Sequence, residues 1–475
     1  MLPIEFIQRM SRILGKESEA FIKELEEGQA IRSFRVNGIK SSMEDLEAAS
    51  ISINRSKADF PPECYYTEEA YPGYLPCHHS GMIYMQDPSA MATVHAVRIE
   101  KGIRVLDSCS APGGKTTQLS EAVGDRGIVV ANEYDSKRCR ILQGNVERMG
   151  ARNTVVVNHD TAVLAETYPS AFDLVFCDAP CSGEGMFRKN SLAIDEWSVS
   201  NVEMCAERQK EILNNVAKCV KIGGKLVYST CTFSLEENEM NVAWFLDNFS
   251  DFVLCDVEEG LKNATRDGVM LDGCEYDMTK TRRFYPHVSK GEGQFVAVFM
   301  RENGEASEPA FDKKIKKDKK NATSKVPPSE IELLSLAEDF LRENLKEGFA
   351  DGIILELIAQ NGYAYLKPDV ALPEYGVFAA GVCVGEIQGK RFLPHHQLFS
   401  AFGNSFKRQI ILTEKMPETE DYLRGLEIPC RETERFDGKA DGYAAVICDG
   451  CALGGGKISG GVCKNHYPKG LRNRK

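Results

Sequence analysis

The sequence predicts an α/β fold in which helices cover both faces of a mostly parallel, Rossmann-like sheet. From Ile103 to Arg301, short β-rich runs alternate with helical stretches, as is typical of βαβ units. The runs are, in order, IRVLDSC, GKTTQLSEAV, GIVVANE, SKRCRILQGNVERMG, NTVVVNHD, FDLVFCDAP, a long helix and GKLVYSTCT. The last run, QFVAVFMR, follows a long irregular segment, and we expect it to be an antiparallel strand at the end of the sheet.

The chain is too long for a single hydrophobic core. Its 475 residues exceed the roughly 100 to 200 residues of a typical domain, so we expect three or so domains. Residues 304–329 are rich in lysine and end near Pro327-Pro328, which predicts a flexible, solvated linker. Beyond this linker, the helical run SEIELLSLAEDFLREN and the strand-like runs YAYLKP, GVFAAGVCVGEI and GYAAVICD predict one or two small α+β or β modules.

Charge and cysteine content constrain the partners and the compartment. The net charge of -12 counts against a nucleic-acid partner, but basic residues cluster locally, in the linker and near the C-terminus. The 16 cysteines are scattered and do not form a compact disulfide framework, which favours a reducing cytosol. Glu5 and Arg9 interrupt the first apolar stretch, and no apolar run approaches the roughly 20 residues that span a bilayer. We therefore expect a cytoplasmic protein with no membrane partner.

A candidate ligand loop follows the first predicted strand of the sheet. Ligands of open α/β sheets bind beyond the carboxyl ends of the strands, where a glycine loop leads into a helix, and Asp107 to Lys115 occupies that position. Glu133 closes the second strand, where a carboxylate commonly binds ribose hydroxyls. Asp160 closes the third strand and Asp178 the fourth. The sequence thus predicts a shared crevice for a nucleoside-like ligand.

Two alternatives compete with this interpretation of the loop. Gly114-Lys115-Thr116 matches the end of a phosphate-binding P-loop, but that motif needs a glycine five positions before Gly114, and Cys109 is there instead. The second alternative is that the glycines only form a tight turn and the acids only cap helices. The common sheet edge of the acids favours the ligand site.

Cys181 and Cys231 follow neighbouring strands at the same predicted edge. Methylation of cytosine at carbon 5 needs a nucleophile, because a thiolate that adds to carbon 6 makes carbon 5 able to attack a methyl donor. A free thiol is only a few per cent ionised at neutral pH, so such a site must favour the anion. Buried cysteine is also a common apolar filler. The pair favours catalysis, but the chemistry alone leaves open which cysteine attacks.

Long motifs give the chain a resemblance to a known family. SAPGGKT, DAPCSGEGMFRK and STCTFSLEENE are similar to motifs of the Nol-Nop-Sun family of RNA cytosine-5 methyltransferases. FRVN and YMQDPSAM resemble the N-terminal extension of that family, and GEGMFRKN resembles its bacterial RsmF-like branch. The segment DGYAAVICDGCALGGGKISGGVCKNHYPKGLR resembles the PUA-like RNA-binding module of the same branch.

The resemblance implies a domain order. It divides the chain into an N-terminal RNA-binding α+β extension at 1–95, a class I methyltransferase domain at 96–303 and the linker at 304–329. A small α+β module at 330–410 and a PUA-like module at 411–475 complete the expected order.

The resemblance also implies roles for the site residues. Cys231 would attack carbon 6, and Cys181 would help to remove the proton on carbon 5 or to release the product. Asp178 would hydrogen-bond the flipped base near N3, and Lys115 would help to orient that site. The cofactor would be S-adenosylmethionine, held by Cys109, Ser110, Ala111, Pro112, Gly113, Gly114, Lys115, Glu133, Asp160 and Asp178.

Small-subunit 16S ribosomal RNA, free or in the 30S subunit, is the substrate that the branch resemblance favours, with the protein acting as a monomer. Transfer RNA is the runner-up, and an RNA-binding ribosome-assembly factor with vestigial catalysis is a third hypothesis. The linker lysines and the C-terminal basic residues would contact phosphates. These residues are Lys313, Lys314, Lys316, Lys317, Lys319, Lys320, Lys325, Lys464, Lys469, Arg472, Arg474 and Lys475.

One spacing departs from the pattern of the family. Cys448, Cys451, Cys463 and His466 read C-x2-C-x11-C-x2-H, which could hold zinc. His466 belongs in any case to Asn465-His466-Tyr467-Pro468, the tail motif, which is part of the PUA-like resemblance. The cysteines fall on a predicted strand and on glycine-rich turns. We therefore expect no metal.

Overall fold

The computed structural model describes residues 2–49, 51, 53–303, 328–347, 355–389, 391–430, 435–436 and 439–473. The seven predicted linker lysines, and Arg474 and Lys475, lie outside the described residues. Among the described helices, none is both long and apolar enough to cross a membrane.

The N-terminal segment forms two helices and a small antiparallel sheet with the strand order β2-β3-β1-β4. Its elements are α1 (Ile4–Leu14), α2 (Ser18–Glu27), β1 (Ser33–Val36), α3 (Met43–Ala48), β2 (Ser56–Lys57), β3 (Cys64–Tyr66), α4 (Pro76–His79), β4 (Ile83–Met85) and α5 (Pro88–Ala92). An Asp45–Ser42 capping box starts α3, which fits the preference for Ser at this position. This agrees with the α+β character expected for the segment.

The central segment forms the predicted α/β sheet. Its elements are β5 (Arg104–Asp107), α6 (Gly114–Val123), β6 (Ile128–Asn132), α7 (Ser136–Met149), β7 (Thr154–Val157), α8 (Thr161–Thr167), β8 (Phe172–Asp178), α9 (Ser191–Glu196), α10 (Val199–Val216), β9 (Val220–Thr230), α11 (Glu239–Asn248), β10 (Phe252–Cys255), α12 (Glu259–Asn263), β11 (Arg266–Asp267), β12 (Arg282–Phe284) and β13 (Gln294–Arg301).

The pairing of these strands confirms the predicted fold class. Strands β7, β6, β5, β8 and β9 pair in parallel in that order, and β13 pairs antiparallel with β9. Successive residues alternate between the two faces: Leu106 and Val130 belong to one apolar cluster, whereas Val105 and Val129 belong to another. Both faces are therefore buried, as the continuous apolar runs predict.

The C-terminal segment forms two further sheets and adds one strand, β16, to the central sheet. Its elements are α13 (Pro328–Asn344), β14 (Leu355–Gln360), β15 (Tyr363–Pro368), β16 (Val377–Ala380), β17 (Val382–Gln388), β18 (Arg391–Pro394), α14 (His396–Phe402), β19 (Arg408–Leu412), α15 (Pro417–Arg424), β20 (Ile428–Pro429), β21 (Arg435–Phe436), β22 (Gly442–Cys448), β23 (Cys451–Ser459) and β24 (Val462–Asn465). Strands β14, β15, β17 and β18 form one sheet, and β20-β24-β23-β22-β19-β21 form another.

The run GVFAAGVCVGEI forms two strands in two different sheets. Strand β16 pairs antiparallel with β7 and extends the central sheet, whereas β17 joins the smaller sheet. The chain turns at Gly381, whose φ is +80° and where a Cβ would lie 2.3 Å from the carbonyl oxygen of Leu366. Only glycine fits this turn. The domain boundaries proposed from the sequence stay a prediction, and one strand of the module after the linker completes the central sheet.

Asp107, at the end of β5, is a fully buried carboxylate. Thr116 Oγ1 donates a hydrogen bond to Asp107 Oδ2 at 2.6 Å, whereas Oδ1 has no hydrogen-bond partner. Burial raises the pKa of Asp107 to about 7, although the Thr116 hydrogen bond opposes this shift. The carboxylate therefore ties the start of α6 to β5 at a cost in desolvation.

Lys40 ties together the N-terminal, central and C-terminal segments. Its Nζ donates hydrogen bonds to the carbonyl oxygens of Ser80, Arg148 and Ala452 and to Ser400 Oγ. Burial lowers the pKa of Lys40. The acceptors are all uncharged, so the ammonium is solvated by the protein in place of water.

We expect Lys40→Met to destabilise the protein by about 2 kcal/mol, because three carbonyl groups lose a charged donor at once. Urea denaturation of the full chain measures the change. Lys101→Met is the matched control, since Lys101 is exposed. Equal unfolding midpoints for the two variants would show that Lys40 does not stabilise the assembly of the three segments.

We expect Asp107→Asn to change how stability depends on pH. A folded-state pKa near 7 lies above the ordinary value of about 4, so the wild-type protein loses stability as pH rises from about 4 to about 7. The variant lacks this titration. Its stability relative to wild type should rise across that window by up to about 4 kcal/mol, at about 1.4 kcal/mol per pKa unit. Denaturation at several pH values, with Asp272→Asn as an exposed control, measures the effect. A parallel pH dependence in all three proteins would contradict it.

Candidate active site

A cavity of about 680 Å3 lies at the carboxyl ends of the parallel strands. Every parallel strand contributes to its wall through the residues that end or follow it, and α10 closes one side. The lining residues are Ser108, Cys109, Ala111, Asn132, Glu133, Tyr134, Asp135, Arg138, His159, Asp160, Thr161, Asp178, Ala179, Pro180, Cys181, Arg208, Glu211, Ile212 and Cys231. This is the position at which open α/β sheets bind ligands.

The glycine turn after β5 lies next to the cavity, and only some of its residues line it. Ser110, Pro112, Gly113, Gly114 and Lys115 are not among the lining residues, whereas Cys109 and Ala111 are. Gly113 has a φ of +109°, and a Cβ there would lie 3.1 Å from the side chain of Leu142. The tight turn of the second alternative therefore exists, and it holds two of its residues at the cavity wall.

Acidic side chains mark the ends of β6 and β7. Glu133 is buried, accepts a hydrogen bond from the backbone N–H of Asp135 at 2.9 Å and lies 3.4 Å from the guanidinium of Arg138. Asp160 Oδ1 accepts a hydrogen bond from the backbone N–H of Ala162 at 2.8 Å, which caps α8. Asp160 thus caps a helix and lines the cavity at once, and its role in ligand binding stays a prediction.

Asp178 is held on both carboxylate oxygens. Lys115 Nζ donates to Oδ2 at 2.6 Å, and Ser229 Oγ donates to Oδ1 at 2.6 Å. Lys115 is nearly buried, whereas the Asp178 side chain keeps 30% of its surface exposed towards solvent. The two contacts orient the carboxylate, and Asp178 is the member of the Lys115–Asp178 pair that lines the cavity.

The two cysteines lie against each other at the same cavity. Their Sγ atoms are 2.9 Å apart, and the backbone N–H of Cys231 lies 3.3 Å from the sulfur of Cys181. Both residues are partly exposed. The hydrogen bond with Cys231 and burial raise the pKa of Cys181 well above that of a free thiol. When one thiol of such a pair ionises, the other therefore retains its proton.

The sequence did not point to several lining residues. Arg208, Glu211 and Ile212 come from α10, and His159 follows β7. Tertiary contacts determine which face of α10 points towards the cavity, and these contacts cannot be predicted from one sequence alone. Ser229, which binds Asp178, did have a signal in the sequence, because it is the first residue of the motif STCTFSLEENE.

The four residues with zinc-like spacing have separate contacts. Cys448 and Cys451 are opposite each other in the β22–β23 hairpin, but Cys451 Sγ donates to the carbonyl of Ser80 and His466 packs against Tyr443. Within the described parts of the chain, no group of three or more His, Cys, Asp or Glu side chains could hold a metal ion.

Three family models match successive parts of the chain. The N-terminal domain of 16S rRNA methyltransferase RsmF matches residues 2–88, 16S rRNA methyltransferase RsmB/F matches residues 94–300, and the RsmF PUA domain matches residues 415–473. The order of these three models agrees with the order implied by the sequence motifs.

Full-length relatives and solved structures agree with these models. Ribosomal RNA small subunit methyltransferase F of Enterobacter sp. (strain 638) is 30% identical over 99% of this chain and 95% of its own length. The same-named protein of Vibrio atlanticus is 28% identical over 99% and 97%. A methyltransferase homolog from Pyrococcus horikoshii matches with a TM-score of 0.54 at 27% identity, covering 62% of this chain and 94% of its own. NSun6 from Pyrococcus horikoshii shares the fold, with a TM-score of 0.55 at 21% identity, covering 64% and 99%. The chain therefore belongs to the RsmF group of the RsmB/F family of RNA methyltransferases, which depend on S-adenosylmethionine.

Proposed function

We propose that the protein forms 5-methylcytosine in 16S ribosomal RNA through a covalent bond between Cys231 and carbon 6 of the base. The observation that carries this proposal is the thiol pair, with sulfurs 2.9 Å apart, at the wall of a cavity that also contains Asp178. A methyltransferase that acts on an oxygen or an exocyclic nitrogen needs no such pair, whereas cytosine carbon 5 needs a nucleophile to activate it.

The cavity has the size and chemistry that the methyl donor needs. Its volume lies within the range of pockets for ligands of this size, roughly 300 to 1,000 Å3. Glu133 offers a carboxylate for ribose hydroxyls, Asp160 a second acid, and Ile212 an apolar wall. Cys109 and Ala111, the two residues of the glycine turn that line the cavity, would contact the rest of the donor, and the other residues of the turn would hold these two in place. When bound, S-adenosylmethionine supplies an electrophilic methyl group.

The first step that we propose is addition to the base. The Cys231 thiolate forms a bond to carbon 6, and the electron pair of the ring double bond moves towards N3. A proton from the Lys115–Asp178 pair neutralises N3, because these two groups lie 2.6 Å apart and Asp178 faces the cavity. Carbon 5 thereby becomes nucleophilic, and N3 later returns its proton to the pair.

The last step is elimination of the protein from the product. The carbon–sulfur bond at carbon 6 breaks as carbon 5 loses its proton and the ring double bond forms again. Cys181 lies beside the leaving sulfur and retains its proton while Cys231 is engaged. It donates this proton to the Cys231 sulfur and receives the proton of carbon 5 in return. Both thiols are then protonated, and Cys231 returns to the thiolate of the first step when it releases one proton to water.

We expect Cys181→Ala to accumulate RNA that is covalently attached to the protein, because addition proceeds and elimination does not. Cys231→Ala should form no adduct. A denaturing gel of each variant with labelled RNA and S-adenosylmethionine measures both results. An adduct that persists in Cys231→Ala and vanishes in Cys181→Ala would mean that the roles are reversed.

We infer that the ends of the chain guide the RNA to this site. The proposed domains are the extension at 1–95, the catalytic domain at 96–303, the linker at 304–329 and the modules at 330–410 and 411–475. Lys464 and Lys469 are exposed and free to contact phosphates, whereas Arg472 donates to the carbonyl of Tyr467. A monomer acting in the cytoplasm on the RNA of the small subunit fits these features.

Bisulfite sequencing of RNA from cells with and without the gene tests the reaction and the substrate together. A cytosine of 16S ribosomal RNA that is protected only in cells with the gene is the expected result. A protected site in transfer RNA would keep the reaction and change the substrate. If no site is lost from any RNA, the assembly-factor hypothesis replaces the enzyme.

A further inference from the structure

Glu237 is a fully buried carboxylate six residues after Cys231, in the segment that precedes α11. It has no contact with the cavity, and the steps above do not use it. Its two oxygens accept hydrogen bonds from four donors. The backbone N–H and Oγ of Ser182, Ser234 Oγ and Gln209 Nε2 donate at 3.0, 2.5, 3.0 and 2.8 Å.

These contacts hold the turn that carries Cys181. Glu237 binds Ser182, the next residue, through both main chain and side chain. Gln209, which is bound to the same carboxylate, also donates to the carbonyl of Pro180 at 3.0 Å, the residue before Cys181. Thr232, the residue after Cys231, shares a hydrogen bond of 2.9 Å with Ser182. The residues on both sides of Cys181 are thus linked to the segment that carries Cys231.

Among the described residues, no Lys, Arg or His forms an ion pair with Glu237. Two of the four donors, Ser182 N–H and Gln209 Nε2, can only donate, and together with the two hydroxyls they form a donor set that suits an ionised carboxylate. A buried negative charge therefore lies close to one of the two thiols.

This charge acts on Cys181. The pKa of Cys181 is raised by the hydrogen bond with Cys231, by burial and also by the charge of Glu237. Burial raises the pKa of Glu237 itself, and the Ser182 hydrogen bonds oppose that rise. The like charge thus opposes ionisation of Cys181.

We propose that Glu237 is a positioning residue that fixes Cys181 against Cys231 and holds a negative charge close to Cys181. This inference rests on the proposed roles of the two cysteines. It explains how two adjacent thiols of the same type acquire different roles: the protein holds a negative charge behind one of them.

The test compares the reactivity of the two thiols in Glu237→Gln. This variant keeps the shape of the side chain and removes its charge, and the Ser hydroxyls can rotate to accept from the new amide. Iodoacetamide alkylation at several pH values, followed by peptide mapping, gives the rate ratio of Cys231 to Cys181. We expect the ratio to fall about tenfold, since one pKa unit is a tenfold change in thiolate. The turnover number should fall while the KM for RNA stays unchanged.

Glu184→Gln is the matched control. Glu184 is also buried and also joins the two cysteine segments, through Phe233 N–H and Trp197 Nε1, but it has no hydrogen bond to Ser182. Its ratio should not fall below that of the wild type, because the charge of Glu184 raises the pKa of Glu237 and its removal favours the Glu237 carboxylate. If Glu237→Gln does not fold, Glu237→Asp provides the test. This variant retains the negative charge, so Cys231 should still be alkylated faster than Cys181, whereas the turnover number should fall. A loss of that order in the Asp variant counts against the inference.

An alkylation ratio in Glu237→Gln that equals the wild-type ratio at every pH overturns the inference. The alkylation needs no RNA, so it is separate from the test of the cysteine roles. If Cys181→Ala fails to trap RNA while the alkylation ratio does change, it is the proposed reaction that fails, and not the influence of Glu237 on the thiols.

Discussion

The parallel pairing of β8 with β9 is the constraint on which the rest of the site depends. In this register Asp178 is the partner of Ser229, and each strand then continues into the turn that carries one of the cysteines. A slip of one residue would turn the side chains of one strand to the opposite face of the sheet. The hydrogen bond from Ser229 to Asp178 and the contact between the thiols would both be lost. Burial of both faces of this sheet is what makes such a slip costly.

The polar groups behind the cysteines are the second requirement of the site. Glu237, Asn238, Glu239 and Asn241 are all fully buried. Glu239 forms a buried ion pair with Arg283, whose guanidinium also donates to the carbonyl of Phe233 at 2.8 Å. Removing one member of such a pair leaves a buried charge without a partner, so this network tolerates little change. It fixes the segment after Cys231 without placing any of these groups in the cavity.

The fold class followed from the sequence because its signals are local. Alternating β-rich and helical runs predict a covered parallel sheet, and the strand ends then predict that Glu133, Asp160 and Asp178 share one edge. The burial of SLEENEMN had no such signal. Charged residues are usually exposed, and the partners that make their burial acceptable, such as Ser182 and Arg283, are about 50 residues away in the chain. The run that contains β16 was predicted to be strand-like, but its pairing with β7 had no local signal, since the two strands lie in different segments of the chain.

The N-terminal extension contributes to the site as well as to any contact with RNA. Arg35, from the FRVN motif, is fully buried and donates to the carbonyl of Gly114 at 3.3 Å and to Gln86 Oε1 at 3.1 Å. The extension thus packs against the start of α6 and supports the turn that shapes the cavity wall. On its other side, His79 bonds Tyr467 and Asn473 of the C-terminal tail, each at 2.8 Å.

This arrangement gives the tail motif a structural role. Asn465 Nδ2 binds the carbonyls of Tyr422 and Leu426, and Tyr467 reaches His79, so the motif anchors the last strand to the extension. Lys40, in the N-terminal extension, binds the carbonyl of Ala452 in the C-terminal segment and the carbonyl of Arg148 in α7. It thus joins both ends of the chain to α7. An RNA that touched both ends of the chain would therefore meet surfaces already fixed relative to the cavity. The loss of conformational entropy that orders those surfaces would then occur during folding and not during RNA binding. This favours presentation of one base to the thiol pair.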